Sequence, residues 1–295
     1  MSSPKAAWVK LIGISQTIIS RTTPMVVVWA VLASTGLVTV YNTGNQMFLY
    51  VMEFVTAAMV VLGPLAVHWD AQQDREREKR MLVLGTRLSF ALALFFLAFF
   101  AVSGQTFMKL WLGTGGERGL TMADITVGAT VLIILLAGGC VGLAQGPSAS
   151  VIFAKAKQKP LAILSLVRVG IVVTAMIVMG KIWGLIGVAV AIAIPDLLIA
   201  VFFYPRYVCK LLDLSLPKYV VSSYLPALAP AALAAGFLWF EQSLGLYAHI
   251  WQVGVGFLLG GMVFTGGVMV FCLNGSERLA WLRLAGVGRE ARTAA

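Results

Sequence analysis

Eight apolar runs, each about 20 residues long, recur from one end of this chain to the other with short polar stretches between them. No other feature limits the fold as strongly. A helix of that length crosses a ~30 Å hydrocarbon core, and a chain that repeats it must cross or line a membrane many times. The runs fall near residues 11–32, 45–67, 86–110, 125–145, 161–179, 183–204, 219–240 and 250–273. Strand-type alternation between short turns is missing, which argues against an outer-membrane barrel. Only 12% of residues are charged and the mean hydropathy is +0.92; a water-soluble domain carries about 25% charge. The expected fold class is all-α, a polytopic membrane protein with about eight transmembrane helices.

The net charge of +10 could suggest a nucleic-acid partner, but its distribution argues for a membrane topology instead. One set of segments holds the N-terminus, "DAQQDREREKR", "KAKQK", "PRYVCKLLDLSLPK" and the C-terminal tail, and with Arg87 just beyond the second of these carries seventeen Lys and Arg. The alternate set, including "WLGTGGERGLTMAD" and "EQSLGLYAH", carries three. The positive-inside rule then places both termini in the cytoplasm, as an even number of spans also requires. No nucleic-acid partner is expected. Trp8, Trp69, Trp111, Trp183, Trp239 and Trp251 fall near span ends, as an interfacial belt should. Trp281 in "RLAWLRL" reads as part of a short interfacial helix. No signal peptide is apparent. Cys140, Cys209 and Cys272 have no paired spacing, so neither a disulfide framework nor a metal site is expected.

Ionisable groups at membrane depth are costly unless paired or wet, and therefore mark candidate sites. Arg21, Glu53, Arg168 and Asp196 qualify. In the second span Asn42, Asn45, Gln46, Glu53 and Thr56 share one helical face; they either line a cavity or bond neighbouring helices. In the first span Gln16, Ser20 and Thr23 form one polar stripe, while Thr17 and Arg21 point elsewhere. Arg21 is roughly 16 Å above Lys10 at the helical rise, near the midplane. It could pair with Glu53 or hold an anionic ligand. Asp196, following Pro195 in "VAIAIPDLLIAV", and Arg168 each lie about 12 Å from the cytoplasmic edge on neighbouring antiparallel spans. A depth-matched pair is the economical reading. The alternatives are an Arg168 that snorkels to the headgroups and an Asp196 that binds a proton or sodium ion beside proline-loosened carbonyls. No phosphate-binding loop, zinc-ligand cluster or other catalytic constellation is present, so neither an enzyme nor a cofactor is expected.

Several longer stretches carry a resemblance. "LVTVYNTGNQMFLYVMEFVTAAMVVLGPLAVHWDAQQDREREKRMLVLGTRLSFALALFF", then "FMKLWLG" and "GLIGVAVAIAIPDLLIAVFFYPRYVCKLLDLSLPKYVVSSYLPAL", resemble polysaccharide-biosynthesis flippases of the multidrug/oligosaccharidyl-lipid/polysaccharide exporter superfamily. The resemblance covers about residues 11 to 240. Members of that superfamily place two six-helix lobes around a cavity that opens alternately to each side, with two further helices after them. On this pattern residues 1–10 form a cytoplasmic N-terminus, 11–204 one six-helix lobe, 205–273 the final pair and 274–295 a cytoplasmic tail.

The resemblance implies flipping of an undecaprenyl-pyrophosphate-linked oligosaccharide across the bacterial inner membrane for cell-surface polysaccharide synthesis. Arg21, Glu53, Gln46, Asn45 and Gln16 would lie on the transport path. The missing first lobe would come from an upstream reading frame or from a second copy of the chain; otherwise the gene is a remnant. A cation-coupled exporter of the same superfamily and a non-transporting scaffold in a glycan-assembly complex are the other readings.

Overall fold

The computed structural model describes residues 4–19, 23–32, 35–113, 121–273, 275, 277 and 278. These residues form helices and turns, with no strand among them. The helices are α1 (Pro4–Thr17), α2 (Thr23–Leu32), α3 (Thr35–Met59), α4 (Leu62–Ala71), α5 (Arg75–Leu112), α6 (Met122–Leu143), α7 (Gly146–Ala154), α8 (Lys159–Leu198), α9 (Tyr204–Leu212), α10 (Leu216–Ser243) and α11 (Ile250–Gly267). Single π turns follow α8 at Ile199–Phe203 and α11 at Val268–Cys272. Six stretches are long and apolar enough to cross a membrane: Thr35–Ala71, Arg75–Leu112, Met122–Ala154, Lys159–Leu212, Leu216–Ser243 and Ile250–Cys272. The architecture is that of an all-α, multi-pass membrane protein.

That division differs from the eight expected runs in two places. The first run, 11–32, is divided between two shorter helices, α1 and α2. The fifth and sixth runs are fused in the single 54-residue stretch Lys159–Leu212. At 1.5 Å per residue that stretch would reach roughly 80 Å if straight, far beyond any bilayer. It folds back on itself instead. Gly184 takes φ 60° and ψ −138°, a conformation that glycine adopts without steric cost. Beyond the bend, Gly187 faces the Met179 carbonyl so closely that an added Cβ would lie 2.0 Å from its oxygen. The bend thus lies just after the short gap, residues 180–182, left between the fifth and sixth expected runs.

The segment "PRYVCKLLDLSLPK" is also largely helical rather than a loop. In α9, Pro205, Val208, Cys209 and Leu212 are buried while Arg206 and Lys210 are exposed, the spacing of an amphipathic helix. Asp213 ends it in a left-handed conformation.

Local chemistry sets the other boundaries. The Asp74 carboxylate accepts the Arg77 N–H to start α5, and Thr121 with Asp124 forms a capping box for α6. Proline in the first turn opens α7, α8, α9 and α10, where its missing N–H costs nothing. The long α5 packs against α6 and α10, and α6 in turn against α3 and α8. Its phenylalanines supply much of the core: Phe95 stacks on Phe264 at 4.9 Å and Phe99 meets Phe257 edge-on at 4.9 Å.

One end of the bundle gathers three of the basic segments, those around residues 70–80, 155–159 and 206–213. There Lys155 Nζ bridges Asp70 (2.7 Å) and the fully buried Glu78 (3.0 Å), and Arg75 reaches Asp213 (2.7 Å). Burial alone would lower the Lys155 ammonium. Its hydrogen bonds to Asp70 and Glu78 outweigh that and hold it above its ordinary value.

Candidate functional site

The bend at Gly184 brings Arg168, on the first arm of α8, against Asp196 on the second arm. Arg168 Nε donates to Asp196 Oδ1 at 2.5 Å and Nη2 to Oδ2 at 2.6 Å, a bidentate pair. Nη1 donates to Gln16 Oε1 of α1 at 2.8 Å. Three of the five guanidinium N–H groups are thereby engaged. One turn before these contacts, the hydroxyls of Ser165 and Ser15 meet at 3.5 Å, so two polar contacts fasten α1 to α8. The side chains of Arg168 and Asp196 retain 13% and 20% exposure.

The backbone around the pair is loosened. Pro195 lacks the N–H that would bond the carbonyl of Ala191. Three residues after Asp196 the helix relaxes into the π turn at Ile199–Phe203, a distortion often found at functional positions. A charged pair, an amide and a weakened helix therefore meet at one place between α1 and α8.

The other expected site residues are more scattered. Asn45 is buried, Gln46 half-buried and Glu53 exposed, so the face they share on the helical wheel does not share one environment. Tyr41 is fully buried, and its hydroxyl and the Asn42 Oδ1 have no hydrogen-bond partner among the described residues. Arg21 and Trp281 lie outside the described residues.

Two features were not singled out from the sequence. The first is a neutral network inside α5, α7 and α10. Tyr219 shares its hydroxyl with Thr86 (3.0 Å) and Ser148 (3.4 Å), and Ser148 donates to Gln145 Oε1 (2.8 Å). Gln145 Nε2 then donates to Tyr224 and to the Ala200 carbonyl in the π turn (3.3 Å). The signal was present in "KYVVSSYLP", a polar stretch inside a predicted span, but polarity alone does not say where its partners lie.

The second is the pairing of proline-freed carbonyls. Pro226 and Pro230 leave the carbonyls of Ser222 and Pro226 without an i+4 donor. Arg87 Nε donates to the Ser222 carbonyl at 2.9 Å, while the Cys272 thiol lies 3.5 Å from that of Pro226. At the other end of α10 the buried Glu241 accepts from the Tyr247 hydroxyl at 2.9 Å. Burial first, and then this carboxylate, push the Tyr247 phenol up to about 12.

Among the described residues no group of three or more His, Cys, Asp or Glu is placed to hold a metal. Compared with known proteins, the chain matches no family model, no curated protein and no solved structure.

Proposed function

We propose that the chain belongs to a transporter that moves a lipid-linked oligosaccharide across the bacterial inner membrane during cell-surface polysaccharide synthesis. The observation that carries this reading is the Arg168–Asp196–Gln16 cluster. A bidentate ion pair within the spans is expensive to build, and it stands where Pro195 and a π turn weaken the helix. Broken helices that present charged groups are how transporters handle polar cargo within a bilayer. Two Arg168 N–H groups remain to meet a phosphate oxygen if the bundle opens.

In this reading α1 with α2 makes one crossing and the α8 hairpin two, giving eight in all with both termini cytoplasmic. Residues 11–204 form one lobe and 205–273 the added pair. Arg21, Glu53, Gln46, Asn45 and Gln16 lie along the path. The opposing lobe is supplied by further sequence or by a second copy. A cation-coupled exporter is the alternative favoured by Asp196, which directly follows Pro195, the residue whose missing N–H frees the Ala191 carbonyl.

Deleting the gene tests the proposal. Loss of surface polysaccharide, with the lipid-linked precursor trapped in the inner leaflet, is the expected result. Restoration by the wild-type gene but not by Arg168→Ala, at equal protein level, would assign the cluster. Unchanged surface glycan in the deletion strain would overturn the reading.

A further inference from the structure

A second feature lies at the basic end of the bundle, on the wall formed by α4, α5, α11 and its π turn. A groove of about 620 Å³ opens there, lined almost wholly by apolar side chains and containing Arg77 and Arg80. We infer that this groove binds one anionic phospholipid of the adjacent leaflet, its acyl chain along α5 and its phosphate on Arg77 and Arg80.

Three observations converge on that occupant. The first is charge. Arg75, Arg77, Lys79 and Arg80 crowd the first two turns of α5, the positive end of its dipole, where cations are disfavoured. Arg75 is offset by Asp213, Arg77 by Asp74 and Lys79 by Glu76. Arg80 has no carboxylate at ion-pair distance among the described residues, since Glu76 near it is held by Lys79, so the groove's mouth keeps a cation without a direct partner for a phosphate to meet.

The second is length. Below Arg80, Leu84, Leu88 and Leu92 recur at four-residue steps and form one half-buried stripe facing the groove. From Arg80 to Leu92 is roughly 18 Å along the helix. That matches the depth of one leaflet, half of a ~30 Å core. An ordinary acyl chain fills such a slot, whereas a long polyprenyl chain would overrun it. The third is level: Trp69 lines the same end of the groove, the depth at which indoles mark the headgroup boundary. A volume of 620 Å³ is also within the ~300–1,000 Å³ of sites that enclose a small ligand.

The full chain, purified in mild detergent, is offered equal amounts of phosphatidylglycerol and phosphatidylcholine with matched acyl chains, and retained lipid is read by native mass spectrometry. Phosphatidylglycerol should be retained in preference by about fivefold or more, the effect of about one surface cation on an anionic lipid. R77Q/R80Q should bring the two lipids to near-equal retention without lowering phosphatidylcholine. Leu88→Trp should fill the slot and lower both lipids while leaving the arginines in place, which keeps the test open if the double variant fails to fold. Equal retention of the two lipids by the wild-type chain would overturn the inference. So would a preference that survives in R77Q/R80Q, or undecaprenyl phosphate displacing phosphatidylglycerol at equal concentration.

Discussion

The α5–α7–α10 side of the molecule and the α1–α8 side admit polar groups into an apolar bundle in opposite ways. In the first, Thr86, Ser148, Gln145, Tyr219 and Tyr224 are neutral and hydrogen-bond one another, and ion pairs are kept to the basic end. Arg87 and Glu241 are met there by a carbonyl and by the Tyr247 hydroxyl rather than by an opposite charge. In the second, full charges stand within the spans, attended by Gln16 and by the loosened helix beside Pro195. Neutral networks join helices at modest cost, since each group exchanges one partner for another. Charges bring a desolvation penalty that even a well-formed pair does not always repay. The neutral side is therefore a scaffold. The charged side bears a cost that scaffolding does not require, which is why it is the candidate site.

The largest effect is expected where the charged side is assembled. Gly187→Val would place a Cβ within 2.0 Å of the Met179 carbonyl oxygen, a backbone atom that cannot move aside without opening the α8 hairpin. The expected outcome is loss of the monodisperse folded species on size-exclusion chromatography. A variant as well folded as wild type would show that the tight turn is not what holds Arg168 against Asp196.

The pair itself comes next. Asp196→Ala leaves a largely buried guanidinium uncompensated, a change that costs roughly 3–5 kcal/mol. Thermal unfolding in detergent should register it as a large fall in midpoint. Exchanging the partners, Arg168→Asp with Asp196→Arg, should recover part of that loss. If both single variants are harmful and the exchange recovers nothing, the pairing contributes little by itself and the two residues act separately.

These two positions also mark how far sequence could see. Depth counting put Arg168 and Asp196 at one level because helical rise is fixed, so a pair of antiparallel arms has only one register once its turn is placed. The contribution of Gln16 was not legible in the same way. Which face of α1 meets α8 is decided by packing, not by distance along the chain. The same limit applies to α3, where one helical-wheel face separates into a buried Asn45 and an exposed Glu53 because α6 covers only part of it. The neutral network was hidden for a third reason. Thr86, Ser148 and Tyr219 are ordinary residues for membrane helices, and only their meeting makes them a unit. The reversal between the fifth and sixth runs was legible, but its exact place at Gly184 and the division of the first run into α1 and α2 were not. A tight reversal keeps nearly every residue helical, so the short gap between the runs shows that the chain turns but not at which residue.

At the basic end, Lys155→Met should fall toward the lower part of the ~3–5 kcal/mol cost of a broken buried pair. It strands the buried Glu78, while Asp70 keeps 27% of its side-chain surface in solvent. The pH dependence carries a sign. The folded Lys155 ammonium is held above its ordinary value of about 10.4. Its contribution is therefore complete below that pH and is lost as pH rises through the folded value. Melting curves at pH 8 and pH 11 should diverge for wild type. They should diverge less for Lys155→Arg, whose guanidinium does not titrate there. Equal divergence would assign the alkaline loss to other groups.

The smallest effect belongs to the neutral side, and it is the most direct test of the contrast. Tyr219→Phe removes one buried hydroxyl and the two bonds it makes, to Thr86 at 3.0 Å and to Ser148 at 3.4 Å. Ser148 keeps Gln145, so only the Thr86 hydroxyl loses its side-chain partner. The ring still fills its space beside Tyr224, with which it is in edge-on contact. The net loss should be about 0.5–1.5 kcal/mol, in line with the ~0.6 kcal/mol average for hydrogen bonds between membrane helices. A small shift in the same detergent melt that registers Asp196→Ala would keep the two sides distinct. A loss of 3 kcal/mol or more would mean that the neutral network is as costly to break as the ion pair, on the scale expected for a buried charge. Charge at depth would then no longer set the α8 hairpin apart, and the search for a site would have to include the Tyr219 network and the π turn it reaches through Gln145.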